Sequence, residues 1–138
     1  MPGAGATEIE IAHQLRQYAD TCPGLDQYAV RKFGEALEVV PRTLSENSGQ
    51  KATEVIAQLY TAHQAGNTGV GVNVQGDRDS ATVDAVEKEI FDLYGTKKSA
   101  IDLAVEAALT VLRVDQIIMS KRSGGPKLKG NNPGWDSH

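Results

Sequence analysis

Residues 97–114, KKSAIDLAVEAALTVLRV, confine their polar side chains to one narrow stripe of Asp102, Glu106, Thr110 and Arg113, extended by Ser99. Ile101, Leu103, Ala104, Val105, Ala108, Leu109, Val111 and Leu112 occupy the rest of the circumference. A helix that is apolar over most of its surface must sit among other helices. The spacing therefore predicts a multihelical fold with this segment near its middle. Beyond Arg113 the run VDQIIMS changes character and predicts a short C-terminal strand near 114–120. Such a strand needs a sheet edge to pair with.

The remaining segments supply helices with the same period. Ile9, Ile11, Ala12, Leu15 and Tyr18 make one face of a first helix. Thr7 and Glu10 fit a capping box there, or the helix begins a turn earlier at Gly5. Pro23 and Gly24 stop it. Leu25, Tyr28, Ala29, Phe33, Ala36, Leu37 and Val40 mark a second helix. Pro41 lacks the N–H needed to continue it, so RTLSENSG reads as a separate short turn ending at Gly49. Val55, Ile56, Leu59 and Ala62 form a third apolar face, ended by Gly66.

Between glycines, Val70, Val72 and Val74 alternate with small or polar residues, which predicts a β-hairpin arm or strand near 69–75. Val83, Val86 and Ile90 suggest a short helix entered near Ser80, and Tyr94 with Gly95 a turn before the last helix. Residues 121–138 are rich in Gly, Pro and Lys and read as a disordered tail.

With 138 residues the chain suits one domain. Its net charge of −4, with both signs interspersed, disfavours nucleic acid or a membrane surface as partner. No apolar run is long enough to span a bilayer. A single cysteine, Cys22, can make no disulfide within the chain and suits a reducing compartment. These traits point to a cytoplasmic, mostly helical domain.

Few residues offer chemistry. PGAGATE places glycines before a helix start, where backbone can approach an anionic ligand. There is no G-x-x-x-x-G-K-[ST] loop, so the chain is not a self-contained P-loop nucleotidase. His13 and His63 stand alone on helices and His138 ends the chain, a spacing that makes no metal site. Cys22 reads as a small packed thiol. Asp92 suits either a helix cap or an acceptor for ribose hydroxyls.

Taken in order, PGAGATEIEIA, EALEVVPRTLSENSG, GNTGVGVNV and AALTVLRVDQIIM resemble the C-terminal half of the equatorial domain of group II chaperonins, over residues 2–120. TCPGLDQYAVRKF and the tail SGGPK…WD are similar to a subunit of the eukaryotic cytosolic chaperonin, CCT or TRiC. The resemblance implies a mostly α fold, with 1–120 as half of an equatorial domain and 121–138 as a tail. It also implies that the strand at 114–120 pairs with an N-terminal strand of the same subunit and a hairpin of its neighbour. The function implied is ATP-dependent assistance to the folding of cytosolic proteins. The partners would be other chaperonin subunits in a hetero-oligomeric double ring and unfolded clients, with no nucleic acid or membrane.

In that family a Gly-Gly-Gly turn packs on the nucleotide, and here it reads Gly3-Ala4-Gly5. Ala4 departs from the pattern and adds a methyl group to backbone expected to lie close to ATP. Gly5 keeps the last glycine, backbone around Asn73 matches the adenine side, and Asp92 matches the acidic residue at the ribose. The family's GDGT phosphate loop and catalytic Asp lie upstream of the matched region, so no catalytic or metal-binding residue is expected in this chain. ATP or ADP with Mg is then expected to bind the complete subunit, and these residues alone weakly or not at all. Met1 stands where the family continues upstream, as an alternative start or a truncated chain would. The competing expectation is an autonomous or truncated helical interaction module that binds no nucleotide.

Overall fold

The computed structural model describes residues 1–75 and 80–120, with side chains described as far as residue 114. Five helices and one two-stranded sheet make up these residues: α1 (Ala6–Ala19), α2 (Asp26–Leu37), α3 (Val39–Asn47), α4 (Ala52–Gln64), β1 (Val70–Val72), β2 (Thr82–Asp84) and α5 (Tyr94–Ser120). The mostly helical fold and the strand near 69–75 agree with the sequence. The chain divides into two units, Met1–Lys97 and Lys98–His138. Among the described residues no helix is long and apolar enough to cross a membrane. The expected tail at 121–138 lies outside the described residues.

The core of the first unit gathers Ile9 from α1, Val55, Ile56 and Leu59 from α4, and Val72 from β1. Each such side chain contributes about 1.5–3 kcal/mol when fully buried. Leu44, Tyr60, Val70 and Ala81 pack around them. α2 approaches α1 at Gly34, where an added Cβ would already touch the Ala12 carbonyl oxygen at 3.4 Å.

Several expected boundaries move, each for a local reason. α1 starts at Ala6 behind Gly5, without a side-chain cap. Instead of capping, the Thr7 hydroxyl donates to the Pro2 carbonyl at 2.7 Å. Pro41 does not end a helix; it sits in the first turn of α3, where a missing N–H costs no intrahelical bond. Tyr94 and Gly95 belong to α5 rather than to a turn.

The helix expected from Ser80 is replaced by β2. It pairs antiparallel with β1 in the register Val70↔Asp84, Gly71↔Val83 and Val72↔Thr82. The edge of β1 gives β-branched Thr82 and Val83 a partner. Asp84 Oδ1 then accepts from the N–H groups of Val86 (2.8 Å) and Glu87 (3.2 Å), which turns the chain.

The strand expected at 114–120 is also corrected, because α5 continues to Ser120. No strand pairs with this segment among the described residues. A lone strand would leave its N–H and C=O groups unpaired, whereas a helix pairs them internally. In the second unit Leu103, Leu109, Val111 and Leu112 remain exposed.

Two polar networks tie the helices of the first unit together. Glu38, 8% exposed, accepts from Arg16 and from the Tyr60 hydroxyl, both at 2.6 Å. The Arg16 guanidinium lies over the Tyr60 ring at 4.3 Å. Burial first, and the Glu38 carboxylate second, push the Tyr60 hydroxyl above its usual range.

In the second network the buried His63 ring meets Glu10 Oε2 through Nδ1 at 2.7 Å and the Val70 carbonyl through Nε2 at 2.8 Å. His63 is therefore a structural group, joining α1, α4 and β1. Burial pushes the Glu10 carboxyl up, but hydrogen bonds from His63 and Gln14 outweigh it and hold it below its ordinary 4.5. A carboxyl depressed on folding stabilises the fold above its unfolded value, and loses that contribution as pH falls through the folded value. Acid titration of stability should thus be less steep below pH 4.5 in Glu10→Gln than in the unaltered chain. Identical acid limbs in chemical denaturation would contradict this.

Candidate functional site

Residues 1–5 are clamped on two sides. On one side Gly3 N–H donates to the Ile90 carbonyl at 2.9 Å, and Asp92 N–H donates to the Met1 carbonyl at 3.0 Å. The terminal ammonium of Met1 donates to the Asp92 carbonyl at 3.2 Å, and Pro2 bridges Phe91. On the other side the Val72 N–H of β1 donates to the Ala4 carbonyl at 2.8 Å. The turn between these clamps uses two left-handed residues, Ala4 at φ 55° and Gly5 at φ 79°.

That geometry explains the glycines. A Cβ on Gly5 would lie 2.8 Å from the Pro41 Cβ, and one on Gly3 would lie 3.2 Å from Asp92 Oδ1. One on Gly71 would lie 2.6 Å from the Ala4 carbonyl oxygen. Ala4 tolerates its methyl group but holds a left-handed backbone that an L-residue adopts at a cost of about 1–2 kcal/mol. The departure from three glycines therefore carries strain as well as bulk.

The three site residues anticipated from sequence lie in, or on either side of, this turn. Gly5 follows Ala4, Asn73 follows the Val72 that bonds it, and Asp92 faces Gly3. The backbone of Asn73 is already engaged: its N–H donates to the Ala81 carbonyl at 3.0 Å, and its carbonyl accepts from Gln50 Nε2 at 2.6 Å. Its side chain donates to the Ser80 carbonyl (3.0 Å) and accepts from the Gln75 N–H (3.1 Å), shaping the loop after β1. Gln50 thus fills one of the two acceptor positions of the Asn73 carbonyl. Beside it, Gln50 Oε1 is buried without a hydrogen-bond partner.

Asp92 brings in two residues that sequence reasoning missed. Its Oδ2 lies 2.5 Å from Lys97 Nζ, and the same ammonium lies 2.7 Å from Glu8 Oε1. Asp92 is thus an ion-pair partner whose other oxygen turns toward Gly3. Burial pulls the Lys97 ammonium down, but hydrogen bonds to Asp92 and Glu8 outweigh it and hold its pKa above the usual lysine range. No spacing rule signals this triad, since Glu8 is 89 residues from Lys97. Among the described residues no group of three His, Cys, Asp or Glu side chains is placed to hold a metal ion. An open hollow of about 360 Å³ lined by Arg16, Asp20, Arg31 and Glu35 has its charges already paired, Arg31 with Asp20 and Arg16 with Glu38.

Residues 1–122 match the family model of the TCP-1/cpn60 chaperonin family. The T-complex protein 1 subunit theta of Mus musculus is 54% identical over 136 residues, which cover 99% of this chain and 25% of the mouse protein. The probable theta subunit of Schizosaccharomyces pombe is 50% identical over 135 residues, 97% of this chain and 24% of that protein. Among solved structures, the open-state monomer of a group II chaperonin from Methanococcoides burtonii superposes with a TM-score of 0.76 at 37% identity. That match covers 82% of this chain and 27% of the archaeal one. The chain spans about a quarter of the length of the curated relatives it matches.

Proposed function

The chain belongs to the TCP-1/cpn60 chaperonin family, and on that premise we propose that residues 1–120 are the C-terminal half of an equatorial domain in a theta-type subunit of a cytoplasmic chaperonin. In this reading they form the base and ribose side of a nucleotide pocket, with Gly5 and Asn73 contributing backbone and Asp92 a carboxylate. Bound Mg-ATP supplies the phosphoryl chemistry, and the groups that cradle its phosphates come from elsewhere in the subunit. The same subunit would join others in a hetero-oligomeric double ring and couple ATP hydrolysis to the folding of cytosolic clients.

The observation that carries the reading is the doubly clamped turn. It supports the reading because the Gly3–Gly5 backbone is held between the Asp92 segment on one side and the Val72–Asn73 segment on the other, with the unpartnered Gln50 Oε1 beside the Asn73 carbonyl. Such an arrangement of acceptors suits a ligand that offers hydroxyl and amino donors. A second reading, a helical interaction module without nucleotide, is favoured by the exposed Leu103, Leu109, Val111 and Leu112 of α5.

Photolabelling separates the two. A full-length subunit containing these residues, treated with an azido-adenine ATP analogue and Mg, should be labelled in the peptides spanning 70–75 and 90–97. Excess ATP should abolish the label. Labelling confined to other parts of the subunit would overturn the pocket assignment and leave the interaction module.

A further inference from the structure

Glu8 is the least exposed acidic side chain in contact with this site. Its side chain is 7% exposed, against 15% for Lys97 and 42% for Asp92. It stands on the first turn of α1, directly after the clamped turn. One oxygen accepts from Lys97 Nζ at 2.7 Å, while the other, Oε2, is buried and has no hydrogen-bond partner. A buried carboxylate with an unfilled acceptor is costly to keep unless the rest of its contacts do something for the structure.

Its reach to Lys97 has a geometric consequence. Lys97 lies in the first turn of α5, and of its two carboxylate partners Asp92 is the more exposed and the freer to move. With Glu8 fixed in the interior, the ammonium has one immovable anchor and one movable partner. The ammonium then fixes Asp92 Oδ2, which leaves Oδ1 facing Gly3 and available as an acceptor. We infer that Glu8 is a positioning residue: through Lys97 it sets the orientation of the Asp92 carboxylate that receives a vicinal diol. This rests on the nucleotide reading above.

Glu8 is thus expected to act on affinity without touching the ligand. Lys97 is held above the usual lysine range by two carboxylates against burial that pulls it down. Removing the charge of Glu8 removes one of the two and leaves the burial. The ammonium should then be lost at a lower pH, and Asp92 should be released with it.

The experiment measures ATP affinity against pH in the full-length subunit for Glu8→Gln, Glu8→Asp and Asp92→Asn, with thermal melts as a check on folding. In Glu8→Gln, affinity should fall several-fold near neutrality, and the alkaline decline should move to lower pH. Glu8→Asp keeps the charge but is one methylene shorter, so its affinity should fall while its alkaline decline moves less than in Glu8→Gln. A folded Glu8→Gln with unchanged affinity and pH profile overturns the inference. Should Glu8→Gln not fold, unchanged affinity in Glu8→Asp overturns it. Asp92→Asn distinguishes the two levels: if it binds ATP as the unaltered subunit does, the ribose assignment itself fails. If it binds weakly while both Glu8 variants do not, only the positioning role fails.

Discussion

Replacing Gly71 by alanine should lower the unfolding free energy by about 1.5–4.5 kcal/mol. Overpacking costs about 1–3 kcal/mol, and losing a hydrogen bond adds about 0.5–1.5 kcal/mol. Both terms apply here because the obstacle is backbone. The new Cβ would lie 2.6 Å from the Ala4 carbonyl oxygen, 2.9 Å from its Cβ and 3.1 Å from its carbonyl carbon. The turn has little room to retreat, since Gly3 is bonded to Ile90 and Gly5 abuts Pro41. β1 must move instead, stretching the bond from Val72 to Ala4 and shifting Val72, which is 1% exposed in the core. Gly24 provides the contrast. It has a positive φ but open space around it, so alanine there should cost only the left-handed penalty of about 1–2 kcal/mol. Urea unfolding of both variants, with amide exchange at Val72, checks the comparison. A Gly71→Ala chain as stable as the Gly24→Ala chain would mean that the turn is free to move.

α1 and α4 were legible because each buries one face at a 3.6-residue period, Ile9 and Ala12 in α1 and Val55, Ile56 and Leu59 in α4, whereas α2 has the period but leaves Tyr28 and Phe33 of its apolar face exposed. β1 was legible because its valines alternate about a buried Val72. Its partner was not. Val83, Val86 and Ile90 stand three and four apart, which imitates a helix, and only the tertiary pairing of Thr82–Asp84 decides otherwise. The end of α5 failed for a related reason. A run such as VDQIIMS takes the conformation that satisfies its backbone, and that depends on a partner strand no local pattern can supply. At the candidate site, the glycines and Asp92 came from the resemblance, and the geometry sets them around one turn. Glu8 and Lys97 stayed invisible, because an ion pair across 89 residues leaves no mark in spacing. Glu10 was misread as half of a capping box when its partner is His63, from another helix.

In a full-length subunit, Asp92→Ala should weaken ATP binding roughly 10- to 150-fold. A hydrogen bond to a charged group contributes about 1.5–3 kcal/mol, and each 1.4 kcal/mol is a factor of ten. Folding should suffer much less. The Asp92 side chain is 42% exposed and its contact is Lys97, which keeps Glu8 as a partner when Asp92 is gone. A fully exposed pair contributes about 0–1 kcal/mol, and this one, with Lys97 only 15% exposed, should lie at or somewhat above the top of that range. Affinity and stability therefore separate in this variant, which Gly71→Ala does not allow. Deoxy analogues make the test specific to ribose. The unaltered subunit should prefer ATP over its 2′- or 3′-deoxy form, because a missing hydroxyl leaves the carboxylate without its donor. In Asp92→Ala that preference should vanish, with ATP and both analogues bound equally weakly. Equal affinity of the unaltered subunit for all three would remove Asp92 from the ribose site, whatever the effect of the substitution itself.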